Sequence, residues 1–253
     1  MFNALVLAGT KEKGPLEIVA NVDNKALIMI NDKPIIEYVI DALKNTENID
    51  KVLVVGPKNE LFPYIGKKVE EILEPGDSIL ENMEIGLNYF NSKSNLLLLA
   101  SDIPLITSQA IDEFINKCIE RDAYIGYPII TKDDIVKKYP ETIRTYVKMK
   151  EGTFCGGNIV FFKPEVFFHK RELIKELYDN RKANWKNAKI LGFKFIIKFL
   201  FKTLTLDEIE KKVTEIVGYK SVAVKISHPE IMIDLDKPSD LEVIKKYLKK
   251  YLY

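Results

Sequence analysis

The sequence has few of the residues that form cross-links or bind zinc. Its only cysteines are Cys118 and Cys155, and its only histidines are His169 and His228. So few cysteines exclude the dense disulfide framework of small secreted domains, and these four residues lack the spacing of a Cys/His zinc site. Free cysteines are typical of the reducing cytoplasm, so we expect a cytoplasmic protein.

A dominant charge and a long apolar run are also missing. The 38 basic and 37 acidic residues give a formal net charge of +1, whereas domains that bind nucleic acid are usually strongly basic. We therefore expect no nucleic-acid partner. No apolar run reaches the roughly 18 residues of a membrane span, and residues 1–9 lack the features of a signal peptide. A dinucleotide dehydrogenase is disfavoured because no G-x-G-x-x-G follows the first apolar run.

What is present is a regular alternation of strand and helix patterns in residues 1–130. Such alternation predicts right-handed crossovers and a mainly parallel sheet. The predicted strands are 2–7, 51–55, 69–73, 95–100 and 123–130, and the predicted helices are 34–43, 78–90 and 108–119.

The second half has a less regular pattern without a low-complexity linker. We therefore predict a single domain over 1–253 with an elaborated C-terminal half. The predicted strands here are 144–150, 158–163, 221–226 and 231–233, and the predicted helices are 164–178, 184–202, 206–216 and 238–247.

The first apolar run leads directly into a short loop formed by Leu7, Ala8, Gly9 and Thr10. Glycine at the end of a strand lets the backbone approach a ligand, and unpaired N–H groups in such a loop can bind phosphate. Lys25 follows about fifteen residues later and can add a point charge to the same phosphates. The pattern predicts a nucleotide site at the carboxyl end of the first strand.

Two aspartate motifs provide candidate metal ligands. Ser101 and Asp102 end the most apolar strand, where ligands of open α/β sheets bind, and Mg²⁺ prefers one or two carboxylates. Asp234 and Asp236 lie two residues apart before the last predicted helix and could supply a second carboxylate. The alternative is that Asp102 ends a turn and that Asp236 is a helix cap.

A further candidate substrate-binding segment lies in the second half of the chain. The paired glycines before Asn158 mark a bend where a substrate could lie against Gly157, with Asn158 offering hydrogen bonds. The guanidinium of Arg144 has the fork geometry that binds a phosphate bidentately. A surface salt bridge for Arg144 is an equal alternative.

Together these motifs resemble the MobA-like and sugar-phosphate nucleotidyltransferases with a GT-A-like fold. The matching segments are Leu7-Ala8-Gly9-Thr10, Lys25, Lys33-Pro34-Ile35, Ser101-Asp102-Ile103-Pro104 and the aspartate-rich segment 233–240. The second glycine and the arginine that the family carries after Gly9 are absent, and Lys11, Lys13 and Gly14 follow instead.

The resemblance implies a three-layer α/β/α, Rossmann-like fold with a mainly parallel mixed sheet. It also implies a nucleotide-binding half at 1–130 and an acceptor-binding half at 131–253, where Arg144, Gly157 and Asn158 would contact the acceptor. It implies transfer of a nucleoside monophosphate from a nucleoside triphosphate to a phosphorylated small molecule, with release of pyrophosphate. It further implies that Asp102 and Asp236 bind Mg²⁺, that Lys25 acts in catalysis, and that Asn82 and Ser101 contact the nucleotide. Capping by the residues before Asn82 is the alternative for that helix start.

Two other functions stay open at this stage. A GT-A-type glycosyltransferase could use Asp234-x-Asp236 as its metal motif, although that family places the motif in mid-chain, where this sequence has Ser101-Asp102-Ile103. A non-catalytic nucleotide-binding or interaction protein could have lost activity together with the loop arginine.

Residues 181–202 carry seven basic residues and no acidic one, interleaved with apolar residues. Such a helix could contact an anionic membrane surface peripherally. It could also form a homodimer contact or pack in the core with its lysines reaching solvent.

Overall fold

The computed structural model describes residues 1–9, 15–90, 94–179 and 193–250. The strands are β1 Phe2–Leu7, β2 Met29–Ile30, β3 Lys33–Pro34, β4 Ile49–Val55, β5 Glu71–Leu73, β6 Leu96–Ala100, β7 Ile125–Thr131, β8 Val147–Met149, β9 Gly152–Gly156, β10 Ile159–Phe162 and β11 Ser221–Lys225. The helices are α1 Pro15–Ala20, α2 Ile35–Lys44, α3 Lys58–Ile65, α4 Ile79–Tyr89, α5 Ser108–Glu120, α6 Lys132–Lys138, α7 Pro164–Asp179, α8 Phe193–Leu200, α9 Leu206–Val217 and α10 Pro238–Lys250. Short 3₁₀ helices lie at Lys25–Leu27 and Pro229–Met232.

A nine-stranded mixed sheet joins both halves of the described chain. Its first part is parallel in the order β5-β4-β1-β6. β10 then inserts antiparallel between β6 and β7, so the second half is hydrogen-bonded directly to the first. β11 pairs in parallel with β7, and β9 of the β8–β9 hairpin pairs antiparallel with the end of β7.

Helices cover both faces of the sheet, as the alternation along β1 shows. Ala4 and Val6 point into the larger apolar cluster, which contains residues of α2 and α5, whereas Leu5 points into the cluster of α4 and α7. A Cβ on Gly86 of α4 would lie 2.5 Å from the Leu5 side chain, so this helix packs directly on β1. The predicted three-layer, mainly parallel arrangement is confirmed.

The strand predicted at 231–233 is wrong, because Pro229–Met232 forms a 3₁₀ helix. Proline fixes its own φ and has no N–H to give to a strand ladder, which favours a turn at this point. The apolar residues that suggested a strand are instead buried as a turn of helix, with Ile231 and Met232 in the larger cluster.

The strand predicted at 144–150 is shorter in the structure, where β8 pairs with a strand, β9, that the sequence pattern did not reveal. Gly152 begins β9 with φ of 149°, a backbone conformation that L-residues rarely adopt, so a glycine is required at this turn. The predicted bend between strands is present, but it joins β9 to β10.

The helix predicted at 184–202 is described only from Phe193 onward, as α8, and residues 181–192 lie outside the described part. The side chain of Phe195 packs on the small cluster beneath the β8–β9 hairpin. Phe199, Leu200 and Phe201 are exposed. The membrane and dimer contacts expected for this segment stay predictions.

Candidate active site

The carboxyl ends of β1 and β6 meet at one edge of the sheet. Leu7 pairs with Ala100 in the parallel register, so the loop after β1 lies beside the loop that carries Ser101 and Asp102. From the other side, the backbone carbonyl of Asn158 accepts a hydrogen bond from the Ala100 N–H at 3.1 Å. Three predicted segments therefore converge at the place where α/β sheets bind ligands.

A cavity of about 320 Å³ opens at this edge. Most of the residues predicted for the nucleotide line it, and so do two of those predicted for the acceptor. They are Leu7, Ala8, Gly9, Lys25, Ser101, Asp102, Gly157 and Asn158. The predicted Thr10 lies outside the described residues.

Asn82 lies behind Gly9 and is buried, with its side-chain oxygen accepting a hydrogen bond from the Gly76 N–H at 2.7 Å. A Cβ on Gly9 would lie 2.7 Å from Pro75 and 2.9 Å from the Asn82 amide, so glycine allows this close approach. Asn82 thus packs against the loop of Ala8 and Gly9 after β1, called the phosphate loop below. Its contact with the nucleotide stays a prediction.

Asn24 belongs to the site, although the sequence analysis did not select it. Its buried side chain donates to the Ala8 carbonyl at 2.6 Å and accepts from the Ala26 N–H at 2.8 Å. It therefore caps the 3₁₀ helix that begins at Lys25 and ties that helix to the phosphate loop. A polar residue directly before Lys25 was the signal available in the sequence.

Lys25 lies between the two aspartates predicted to bind a metal. Its Nζ is 2.6 Å from Asp102 Oδ2 and 2.7 Å from Asp236 Oδ1, and its side chain is 17% exposed. The three predicted catalytic residues are therefore in direct contact, although Lys25 and Asp236 are 211 positions apart in the chain.

The backbone explains how Asp236 reaches this position. The Leu235 N–H donates to the Asp102 carbonyl at 2.9 Å, which places the two aspartate motifs side by side. Asp240 then accepts hydrogen bonds from the N–H groups of Asp236 and Lys237, at 3.1 and 2.9 Å, and holds the turn before α10. Capping of this turn falls to Asp240, which leaves the Asp236 carboxylate facing Lys25.

The contact of Lys25 with Asp102 and Asp236 is called the junction below, and the charges there change one another's pKa. Burial alone would lower the pKa of Lys25, but the Asp102 and Asp236 carboxylates outweigh it and raise that pKa. Burial opposes ionisation of Asp236 too, yet the hydrogen bond and charge of Lys25 hold its pKa below the usual range. For Asp234, burial raises the pKa to about 6 despite the neighbouring Arg144, and the charges of Asp236 and Asp102 act in the same direction.

One carboxylate oxygen of Asp102 takes no part in the contact with Lys25. Its Oδ1 is buried and has no hydrogen-bond partner among the described residues. A buried carboxylate oxygen without a partner is costly. A divalent cation that prefers oxygen ligands would satisfy it, and a cation shared with Asp236 would meet two carboxylates.

A second cavity of about 360 Å³ adjoins the first, and Asn158 lines both. Arg144 lines its wall with only 8% of its side chain exposed, and its guanidinium is paired with Asp234 and, at 3.5 Å, with Asp240. The alternative of a surface salt bridge is thus replaced by a buried ion pair. Asn158 donates its side-chain amide to the Ile231 carbonyl at 3.2 Å.

Glu230 anchors the segment that carries Asp234 and Asp236. Its carboxylate, 2% exposed, accepts hydrogen bonds from Lys138 at 2.7 Å and from Thr107 at 3.1 Å, and lies 3.0 Å from His228 Nδ1. Burial would raise the pKa of Glu230, but the hydrogen bond and charge of Lys138 outweigh burial and hold it below the usual range.

We expect this anchor to make stability depend on pH. A carboxyl group whose pKa is lower in the folded than in the unfolded protein stabilises the fold above its unfolded pKa of about 4.5, and this contribution is lost as pH falls through the folded value. In Glu230→Gln that part of the pH dependence should disappear. Melting temperatures of both proteins between pH 3 and 7 test this; parallel curves would contradict it.

The profile of the family described as "MobA-like NTP transferase domain" matches residues 19–186, more than half of the 253-residue chain. The chain belongs to this family. The sequence resemblance to nucleotidyltransferases is thereby confirmed, and the glycosyltransferase alternative is disfavoured.

Two curated relatives of this MobA-like transferase are cytidylyltransferases. This chain is 26% identical to the 2-C-methyl-D-erythritol 4-phosphate cytidylyltransferase of Lachnoclostridium phytofermentans, and the match covers 78% of this chain and 82% of the relative. This chain is also 26% identical to the 3-deoxy-manno-octulosonate cytidylyltransferase of Thermodesulfovibrio yellowstonii, and the match covers 90% of this chain and 92% of that relative.

A solved structure shares its architecture over nearly the whole chain. The similarity to a hypothetical transferase from Thermus thermophilus has a TM-score of 0.82 at 27% identity, and covers 95% of this chain and all of that one. In the described parts of the MobA-like transferase, no helix is both long and apolar enough to cross a membrane.

Proposed function

We propose that this protein transfers the cytidylyl group of CTP to a phosphorylated polyol or sugar, releasing pyrophosphate. Nucleotidyl transfer follows from the family, and the names of the two curated relatives support cytidine as the base and a small oxygen-rich acceptor. The observation that carries the proposal is the contact of Lys25, Asp102 and Asp236 at the junction of two cavities.

The first cavity is assigned to the nucleoside triphosphate. The backbone of Ala8 and Gly9 lies at its rim, at the end of β1. The Ala8 N–H donates to the Val55 carbonyl at 2.8 Å, so the Gly9 N–H is the group that this stretch of the loop would offer to phosphate oxygens. Ser101 adds a hydroxyl from the end of β6, and Lys25 adds a positive charge. These groups would hold the triphosphate with its α-phosphoryl group at the junction.

Mg²⁺ is the proposed cofactor, held by Asp102 and Asp236, and when bound it would neutralise charge on the triphosphate. The unpartnered Oδ1 of Asp102 supports this assignment. Magnesium takes its remaining ligands from phosphate oxygens and water, so two protein carboxylates are sufficient.

The reaction needs alignment and charge compensation more than a protein base. An oxygen of the acceptor phosphate attacks the α-phosphorus of CTP, a new P–O bond forms, and the bond between the α-phosphorus and the bridging oxygen breaks. Pyrophosphate leaves with that oxygen. Because the attacking phosphate is already ionised, no proton has to be removed. Lys25 would stabilise the negative charge that develops at the α-phosphoryl group.

The second cavity is assigned to the acceptor. Asn158 borders both cavities and would orient the acceptor phosphate toward the junction. Arg144 lies in the wall, and we propose that it contributes there mainly by fixing Asp234, whose carboxylate can accept hydrogen bonds from acceptor hydroxyl groups. At Gly157, which lines the first cavity, a Cβ would lie 2.7 Å from Pro128, so a glycine allows the backbone to pack closely at this point.

Ligand-dependent stabilisation tests the donor. We expect CTP with Mg²⁺ to raise the melting temperature more than ATP, GTP or UTP, since a ligand at one hundred times its Kd adds about 2.7 kcal/mol to the free energy of unfolding. Pyrophosphate release from CTP should then depend on a phosphorylated acceptor. Stabilisation by a different triphosphate would contradict the assignment of the base. Stabilisation without pyrophosphate release from a panel of sugar and polyol phosphates would favour the non-catalytic alternative.

A further inference from the structure

The ammonium group of Lys25 already serves as the counter-ion of both proposed metal ligands. Its Nζ contacts Asp102 at 2.6 Å and Asp236 at 2.7 Å, and these are the two carboxylates assigned to the cation. At such distances the lysine and the two aspartates form one compact, mutually neutralised group. A divalent cation held by the same two carboxylates would be repelled by the positive charge of this ammonium group.

The two cations therefore compete for the same ligands. The side chain of Lys25 is largely buried, so the repulsion between an ammonium group and a divalent cation there is weakly screened. Asp102 is 17% exposed, so its carboxylate is costly without a counter-ion; Lys25 supplies one within the protein and also pairs with Asp236, which is 55% exposed. Entry of the metal alone would place a divalent charge beside the ammonium group and weaken both of its ion pairs.

Binding of the triphosphate would change the competition between Lys25 and the metal for Asp102 and Asp236. Its phosphate oxygens give Lys25 a second anionic partner in the adjoining cavity, which the same lysine lines. They also supply the further oxygen ligands that magnesium prefers. The backbone before Lys25 is held by the Asn24 hydrogen bonds to Ala8 and Ala26, so only the four-carbon stem has to move. Such a stem is flexible and its ammonium group can change partners without loss of charge.

We propose that Lys25 is an internal counter-ion that excludes the divalent cation from Asp102 and Asp236 until the triphosphate draws the lysine away. The inference rests on the proposed function, because it requires those aspartates to be the metal ligands. Its consequence is that metal and nucleotide bind cooperatively, and by linkage each must strengthen the binding of the other equally.

Binding of Mn²⁺, measured by the loss of the free-ion EPR signal, tests this without any turnover. The proteins are the wild type, Lys25→Met, the more polar Lys25→Gln, and Lys51→Met as a control. Lys51 forms an exposed pair with Glu70 near the start of β4, so its removal leaves the junction intact. Circular dichroism verifies that each variant is folded. Titrations are run without nucleotide and with CTP, and the binding of Mn²⁺ to CTP alone is subtracted.

Without nucleotide, the wild type and Lys51→Met should bind Mn²⁺ at least about tenfold more weakly than Lys25→Met and Lys25→Gln, in the range of typical coupling between sites. CTP should restore tight binding in the wild type. If the wild type without nucleotide binds Mn²⁺ as tightly as both Lys25 variants do, the counter-ion role is overturned while the metal assignment stands.

The metal assignment has a separate readout. Asp102→Asn should abolish the Mn²⁺ site that appears in the wild type with CTP. If Asp102→Asn retains that site, Asp102 is not a metal ligand and the proposed function loses its cofactor assignment. The two failures are therefore distinguishable from one set of titrations.

Discussion

Replacing Asp102 by asparagine is expected to lower the rate of nucleotidyl transfer about 10³-fold, which corresponds to about 4 kcal/mol of transition-state stabilisation. The amide has nearly the same shape but no charge, so it loses the ion pair to Lys25 and binds a divalent cation poorly. The backbone carbonyl of Asp102 still accepts from Leu235, so the aspartate motifs stay adjacent. The measurement is the steady-state rate of pyrophosphate release at saturating CTP and acceptor.

Asp50→Asn is the matched control for this prediction. Asp50 is exposed in β4, and the same chemical change there should leave the rate within about twofold, since surface substitutions seldom perturb a site. A folded Asp102→Asn protein with the full rate of transfer would refute the assignment of this carboxylate to the metal.

Replacing Arg144 by methionine is expected to lower the free energy of unfolding by about 3–5 kcal/mol, the usual cost of removing one partner from a buried ion pair. Only 8% of the Arg144 side chain is exposed, and its removal leaves the Asp234 carboxylate buried without its counter-ion. The stability change is measured by urea denaturation monitored by circular dichroism.

Two variants separate loss of the pair from loss of a long side chain. Arg171→Met removes a half-exposed arginine paired with Glu84 at 2.9 Å, and should cost less than about 1 kcal/mol, as surface pairs do. The double variant Arg144→Met/Asp234→Asn removes both charges and should regain much of the lost stability. If Arg144→Met is as stable as Arg171→Met, the buried pair contributes little, and a direct contact of Arg144 with the acceptor phosphate becomes the better assignment.

The sequence predicted those features that depend on neighbouring residues. β1 begins and ends where the apolar run does, and Asp102 follows β6 as expected. Because the ends of parallel strands meet at one edge, strand order alone brings Gly9 near Asp102. Local periodicity failed at Pro229–Met232, where an apolar run is folded into a 3₁₀ helix, and at β9, which pairs with β8 in a local hairpin and with β7 from an earlier part of the chain.

Side-chain partners could not be predicted because they depend on contacts between distant segments. Asn24 was overlooked since its role comes from the Ala8 carbonyl sixteen positions earlier, and Glu230 was overlooked because Lys138 and Thr107 reach it from two helices. Arg144 was predicted to bind the acceptor and lines the second cavity, but its pairing with Asp234 depends on how the last loop folds back.

The amino-acid pattern was sufficient for the fold class, the edge of the sheet where ligands bind, and the residue types that make nucleotidyl transfer feasible, since these follow from periodicity and from motifs of a few residues. The meeting of Lys25 with Asp102 and Asp236 was fixed by non-local backbone contacts, above all the Leu235 hydrogen bond to Asp102. Separate motifs do not specify whether a lysine faces a phosphate or a carboxylate. That choice depends on distances of a few ångströms, which exist only once the chain is folded.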